Sequence, residues 1–87
     1  MAVVWIPSLM RDLTGGQERV RAPGRTVGQV LDALDEAYPG IKGRLCEGDR
    51  LAQTIMVTVD GRVARLGLLA AVEEQSEIRF LPAVAGG

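Results

Sequence analysis

Thr26-Val27-Gly28-Gln29-Val30-Leu31-Asp32-Ala33-Leu34-Asp35-Glu36-Ala37-Tyr38-Pro39-Gly40 decides the fold, because it sets one helix between two groups of strands. Val27, Val30, Leu31, Leu34 and Tyr38 recur on one face at helical intervals. Thr26 followed by Gln29 has the spacing of a capping box, in which the hydroxyl accepts an N–H of the first turn. Pro39-Gly40 stops the helix. Asp32, Asp35 and Glu36 fall on the outer face, where acidic side chains ordinarily form a solvated surface.

Upstream of the helix, Val4 and Ile6 alternate with Val3 and Trp5 until Pro7, which predicts a first strand with one buried face. Thr14-Gly15-Gly16-Gln17 is a turn cluster, and a second strand follows over Glu18 to Ala22 with Val20 inward. Downstream, Ile41 to Asp49 reads as a short irregular stretch. Ile55, Val57 and Val59 then alternate with Met56 and Thr58 as far as Asp60-Gly61, a two-residue hairpin signal leading to a short strand over Arg62 to Ala64. Leu66 to Val72 reads as a packed connection. Glu77 to Leu81 is the last strand, with Ile78 and Phe80 inward and Arg79 and Leu81 outward. Pro82 is expected to end that ladder because it has no amide hydrogen.

A hairpin, a crossover helix and strands returning to the first predict an α+β fold, with a mixed sheet of about five strands on one main helix. This is the β-grasp arrangement. Residues 1–82 are its body, and residues 83–87 are expected to be a flexible tail ending in Gly-Gly. The last strand lies centrally beside the first, so the tail leaves from a rigid part of the body.

Composition narrows the function. With 87 residues, 47% hydrophobic and 24% charged, the chain is sized for one domain with a single core layer. A formal net charge of -1 gives no basic footprint for nucleic acid, and no apolar run is long enough to span a bilayer. The one cysteine, Cys46, forms no internal disulfide, and with no signal peptide in view the expected compartment is the cytoplasm. The absence of histidine removes the usual general base and the commonest metal ligand. No carboxylate pair is placed across a cleft, since Glu73, Glu74 and Glu77 lie in a polar turn. Gly15-Gly16 lacks the lysine and hydroxyl residue of a phosphate loop, so it reads as a turn. Cys46 has no histidine to activate it, with only Lys42 and Arg44 as neighbours. These features argue against a self-contained enzyme, and no cofactor or metal is expected on the chain.

Two features remain. The strand pattern turns Trp5 away from the helix, where Arg79 and Leu81 of the neighbouring strand join it in a candidate docking surface; the competing reading is a bulge that returns Trp5 to the core. The other feature is the ending Leu81-Pro82-Ala83-Val84-Ala85-Gly86-Gly87. Gly86 and Gly87 have no Cβ and can thread a channel too narrow for other residues. Fully extended, residues 83–87 reach roughly 17 Å, enough to carry the Gly87 carboxylate into another protein's active site. A frayed end is the competing reading.

The opening Val3-Val4-Trp5-Ile6-Pro7-Ser8-Leu9, the turn Leu13-Thr14-Gly15-Gly16-Gln17 and the ending Phe80-Leu81-Pro82-Ala83-Val84-Ala85-Gly86-Gly87 resemble the MoaD/ThiS family of ubiquitin-like sulfur carrier proteins, and among them the CysO-type branch. The resemblance implies a protein cosubstrate rather than an enzyme. An E1-like adenylyltransferase/sulfurtransferase of the MoeB/ThiF type would join the Gly87 carboxylate to AMP from ATP, and sulfur would then convert it to a thiocarboxylate. Gly86 and the preceding Pro82, Ala83, Val84 and Ala85 would enter the partner. The acceptor in the CysO-type route is a pyridoxal-phosphate cysteine synthase, with a JAMM-type peptidase releasing the product; molybdopterin, a thiosugar, another sulfur metabolite or a thiolated tRNA are the other destinations. A ubiquitin-like modifier joined to lysines through Gly87 is the alternative, and a β-grasp binding module with an incidental tail is the third.

Overall fold

A computed structural model describes residues 1–83. The helix α1 runs Val27–Ala37 and buries Val27, Val30, Leu31 and Leu34. Thr26 Oγ1 accepts the Gln29 N–H at 3.1 Å, while Gln29 Oε1 accepts the N–H of Arg25 at 2.8 Å, one residue before the cap. Both bonds satisfy amides near the start of the helix. Each fully buried Leu or Val of this face contributes about 1.5–3 kcal/mol relative to exposure.

Seven strands form around it: β1 Ala2–Trp5, β2 Arg19–Ala22, β3 Cys46–Glu47, β4 Arg50–Leu51, β5 Ile55–Val59, β6 Arg62–Val63 and β7 Glu77–Pro82. The main sheet has the order β2-β1-β7-β5-β6, and β3-β4 is a separate ribbon. β7 lies parallel to β1 and antiparallel to β5, so the last strand is central and paired on both sides. This is the β-grasp arrangement expected from the sequence. Val4, Ile6, Val20, Val57, Ile78 and Phe80 project from the sheet into the core against α1. Asp60 (φ 53°) and Gly61 (φ 82°) take the left-handed backbone of a type I′-like turn between β5 and β6. Asp60 also ties this turn to the start of β7, accepting the Glu77 N–H at 2.9 Å and the Ser76 hydroxyl at 2.8 Å.

The structure departs from the sequence reading in three places. Ser8–Thr14, expected as part of a long connection, is a 3-10 helix. It is pinned by the Thr14 hydroxyl, which donates within reach of the carbonyls of Arg11 and Gln17, and by Arg11 Nε, which donates to the Ile6 carbonyl at 3.1 Å. The second departure is the stretch read as irregular, which is a short helix α2, Ile41–Leu45, followed by the β3–β4 ribbon. Asp35 Oδ1 accepts the N–H groups of Gly40 and Lys42, both at 3.1 Å, and so caps α2 from the end of α1 instead of facing only solvent.

The third departure concerns Pro82. It does not end the ladder: β7 continues through it, and Ala83 donates its N–H to the Thr54 carbonyl at 2.8 Å. Amides alternate sides along a strand, so with Ala83 facing β5 the Pro82 nitrogen faces the β1 side, where β1 has already ended at Trp5. The missing N–H falls where no partner strand needs it. The hydrogen bonding of the ladder therefore reaches Ala83. Val84, Ala85, Gly86 and Gly87 lie outside the described residues.

Candidate functional site

The face of the sheet away from α1 follows from the register. Arg19, Trp5, Arg79, Thr58 and Val63 are successive cross-strand partners, forming a row across all five strands of the sheet. One step towards the tail, Leu81 pairs with Met56. Trp5 thus points outward with Arg79 and Leu81, as the alternation predicts, and no bulge returns it to the core.

Its surroundings are less apolar than an exposed tryptophan suggests. The Arg79 guanidinium lies 4.2 Å from the ring centroid and that of Arg19 lies at 5.6 Å, so the half-buried ring sits among cations. Trp5 Nε1 donates to Glu77 Oε1 at 2.9 Å, and the same carboxylate oxygen lies 3.8 Å from Arg79. A cation over an exposed indole is worth about 0.5–1 kcal/mol, and the indole hydrogen bond fixes the ring's orientation. Trp5 is therefore held in one orientation on the outer face. Leu81 is 39% exposed and carries little core load.

At the root of the tail lies a groove of about 370 Å³, bounded by Pro7, Leu9, Met10, Leu45, Phe80 and Pro82 among others. Leu9, on the Ser8–Thr14 helix, is 87% exposed at its rim. Sequence reasoning missed this groove because it depends on the 3-10 helix, α2, the start of β5 and β7 meeting. Leu9 carried one weak signal, as a large apolar residue in a stretch otherwise read as a connection. Of the sequence-derived candidates, Trp5, Arg79 and Leu81 share the outer face, Pro82 sits beside the groove, and Ala83 is tethered to Thr54. Val84, Ala85, Gly86 and Gly87 are outside the description.

Among the described residues, no group of three or more His, Cys, Asp or Glu side chains could hold a metal ion, and no helix is long and apolar enough to cross a membrane. Burial pushes the Cys46 thiol up from its ordinary value, and the nearby Lys42 charge opposes this less strongly. A raised thiol is mostly protonated near neutrality and a poor nucleophile. If Gly87 becomes the thiocarboxylate that the resemblance implies, Cys46→Ser should form it and pass sulfur on at near wild-type rates in a reconstituted assay. A folded variant that loses transfer would bring the thiol into the chemistry.

A model of the ThiS family matches residues 4–87. The chain belongs to the ThiS family. This ThiS-family chain is 37% identical over 89 aligned positions to the sulfur carrier protein CysO of Mycobacterium tuberculosis, covering 97% of this chain and 96% of the relative. It is 38% identical over 64 aligned positions to small archaeal modifier protein 3 of Haloferax volcanii, covering 71% of this chain and 70% of that protein. Among solved structures, it superposes on a chain from the crystal structure of the Amycolatopsis orientalis BexX/CysO complex with a TM-score of 0.91, at 38% identity and full coverage of both chains. The resemblance to ubiquitin-like CysO-type proteins thus extends from motifs to the whole fold.

Proposed function

We propose that this protein is a sulfur carrier, a cosubstrate whose Gly87 carboxylate is adenylated by an E1-like enzyme of the MoeB/ThiF type and converted to a thiocarboxylate. The near full-length similarity to the sulfur carrier protein CysO is the observation that carries this reading. Physical chemistry agrees with it. A free carboxylate is a poor electrophile and the adenylate supplies a leaving group, while sulfur in place of oxygen supplies a soft nucleophile. The central strand β7, paired on both sides, gives the tail a firm origin. ATP belongs to the activating partner in this scheme, and the chain itself contributes no cofactor.

The acceptor we favour is a cysteine synthase-type enzyme, with a JAMM-type peptidase as a possible later partner. A molybdopterin, thiosugar or other sulfur-metabolite enzyme would use the same tail. The full-coverage match to a chain of the BexX/CysO complex supports a protein partner for this chain. Incubating the chain with a cognate activating enzyme, ATP and a sulfur source tests the reading by mass: one oxygen-for-sulfur exchange at Gly87 supports it, and unchanged mass despite active enzyme counts against it. A modifier role is the second reading, favoured by the similarity to small archaeal modifier protein 3. Lysine adducts on other proteins, without thiocarboxylate, would select it.

For docking we propose the outer face around Trp5, Arg79 and Leu81. The tail must be delivered at a fixed distance, and orientation is lost if the body swings freely. Interface energy concentrates in Trp and Arg anchors, where truncation costs more than about 2 kcal/mol. Leu81→Glu is expected to weaken binding to the activating or acceptor enzyme, read by titration calorimetry, while its circular dichroism and Tm stay close to wild type. Unchanged binding by a folded variant would move the docking surface elsewhere, and unfolding would contradict the outward register.

A further inference from the structure

Lys42 is the single lysine in the sequence, and every other basic side chain is an arginine. The difference is chemical. An arginine stays protonated and does not attack acyl groups, whereas a deprotonated lysine amine does. A chain whose terminal carboxylate becomes an acyl donor is therefore threatened by its own amines, in solution as concentrated as the donor itself.

Both amines in the described residues are engaged by carboxylates. The α-amine of Met1 donates to Glu74 Oε1 at 2.6 Å. Lys42 Nζ donates to Asp32 Oδ1, an ion pair that links the first turn of α2 to the outer face of α1. The hydrogen bond to Asp32 is the main influence raising the Lys42 pKa above its ordinary value; burial opposes it, and the charges of Asp32, Cys46 and Asp35 add to it. The ion pair thus favours the protonated ammonium, which has no lone pair for attack, beyond the protonation any lysine shows near neutral pH. Asp35 has a separate part, its Oδ1 accepting the backbone amides of Gly40 and Lys42.

We propose that Lys42 is the chain's own acyl-acceptor site, and that its pairing with Asp32 guards an activated Gly87 against being joined to a second copy of the chain. The inference rests on the reading that Gly87 becomes an acyl donor. In the guarded reaction, the Lys42 nitrogen of one molecule attacks the Gly87 carbonyl carbon of another. A C–N bond forms, the bond to the leaving group breaks, the leaving group departs with its electron pair, and the nitrogen loses a proton. With an adenylate the leaving group is AMP; with a thioester it is a thiol. No oxidant or reductant enters.

The test uses the full chain prepared chemically as a Gly87 thioester of a small thiol, so that no activating enzyme is needed. Mildly alkaline solutions of wild type, Asp32→Ala and Lys42→Arg are followed by intact mass, and the linkage is mapped by peptide mass. Asp32→Ala places a good helix former on an exposed position of α1 and should keep the fold, checked by circular dichroism. The expected result is an isopeptide-linked dimer through Lys42 that forms several-fold faster in Asp32→Ala than in wild type and is absent in Lys42→Arg. Equal behaviour of wild type and Asp32→Ala, including no dimer in either, overturns the proposal, as does a dimer linked through Met1. These outcomes bear on Lys42 alone, because the sulfur-carrier reading is judged separately with the activating enzyme.

Discussion

Deleting Gly87 is expected to abolish thiocarboxylate formation while leaving the melting curve unchanged. The chemistry proposed for this protein needs a carboxylate that can be threaded into a partner and attacked there. After deletion, the new terminal carboxylate on Gly86 stops about 3.5 Å short of the reacting position. Misplacement by a single ångström already costs on the order of 100-fold in such reactions, so a whole-residue shortfall should leave no measurable product. Among the described residues the last ladder hydrogen bond is made by Ala83, and Gly87 is four residues further along the chain. The measurement is intact mass after incubation with activating enzyme, ATP and a sulfur source. A full yield of thiocarboxylate from the shortened chain would falsify the assignment of Gly87.

Ile78→Ala is expected to produce the largest loss of stability, about 2–5 kcal/mol, from lost transfer energy and the cavity left behind. Ile78 is fully buried on β7, beside Val4 on one side and Val59 on the other. A domain of this size has a total stability of only about 5–15 kcal/mol, so the variant should melt about 10 °C or more below wild type. Urea unfolding monitored by Trp5 fluorescence gives the difference directly. A loss under about 1 kcal/mol would mean that the site collapses around the missing atoms, contrary to the packing seen between sheet and α1.

What was legible in the sequence was local or periodic. The outward register of Trp5 could be read because Val4 and Ile6 alternate with it and Pro7 closes the run. The turn at Asp60-Gly61 could be read because two residues suffice to specify its backbone. α1 combined both signals, an apolar period and a cap three residues apart.

The illegible parts depend on residues distant in sequence. α2 is too short to persist by propensity, and it forms where Asp35, still on α1, caps it. The groove beside Pro82 requires four separate segments to meet, so no window of sequence contains it. Of the cations around Trp5, Arg79 was legible on the outward face of the last strand, whereas Arg19 comes from β2 and only the register between strands shows that it shares the row. Pro82 was misread for another reason: a missing amide was treated as the end of a ladder, although only every second amide of a strand faces a given neighbour.

The hydrogen bond from Ala83 to Thr54 turns the end of the chain into a depth gauge. From that bond to Gly87 there are four residues, Val84, Ala85, Gly86 and Gly87, which covalent geometry limits to about 14 Å. On the reading proposed for Gly87, an enzyme that uses this protein brings its reacting atoms within that distance of the sheet's end, whatever its own fold. Enzymes of different ancestry that share the carrier would then share one measurable property, the depth from docking surface to reacting centre.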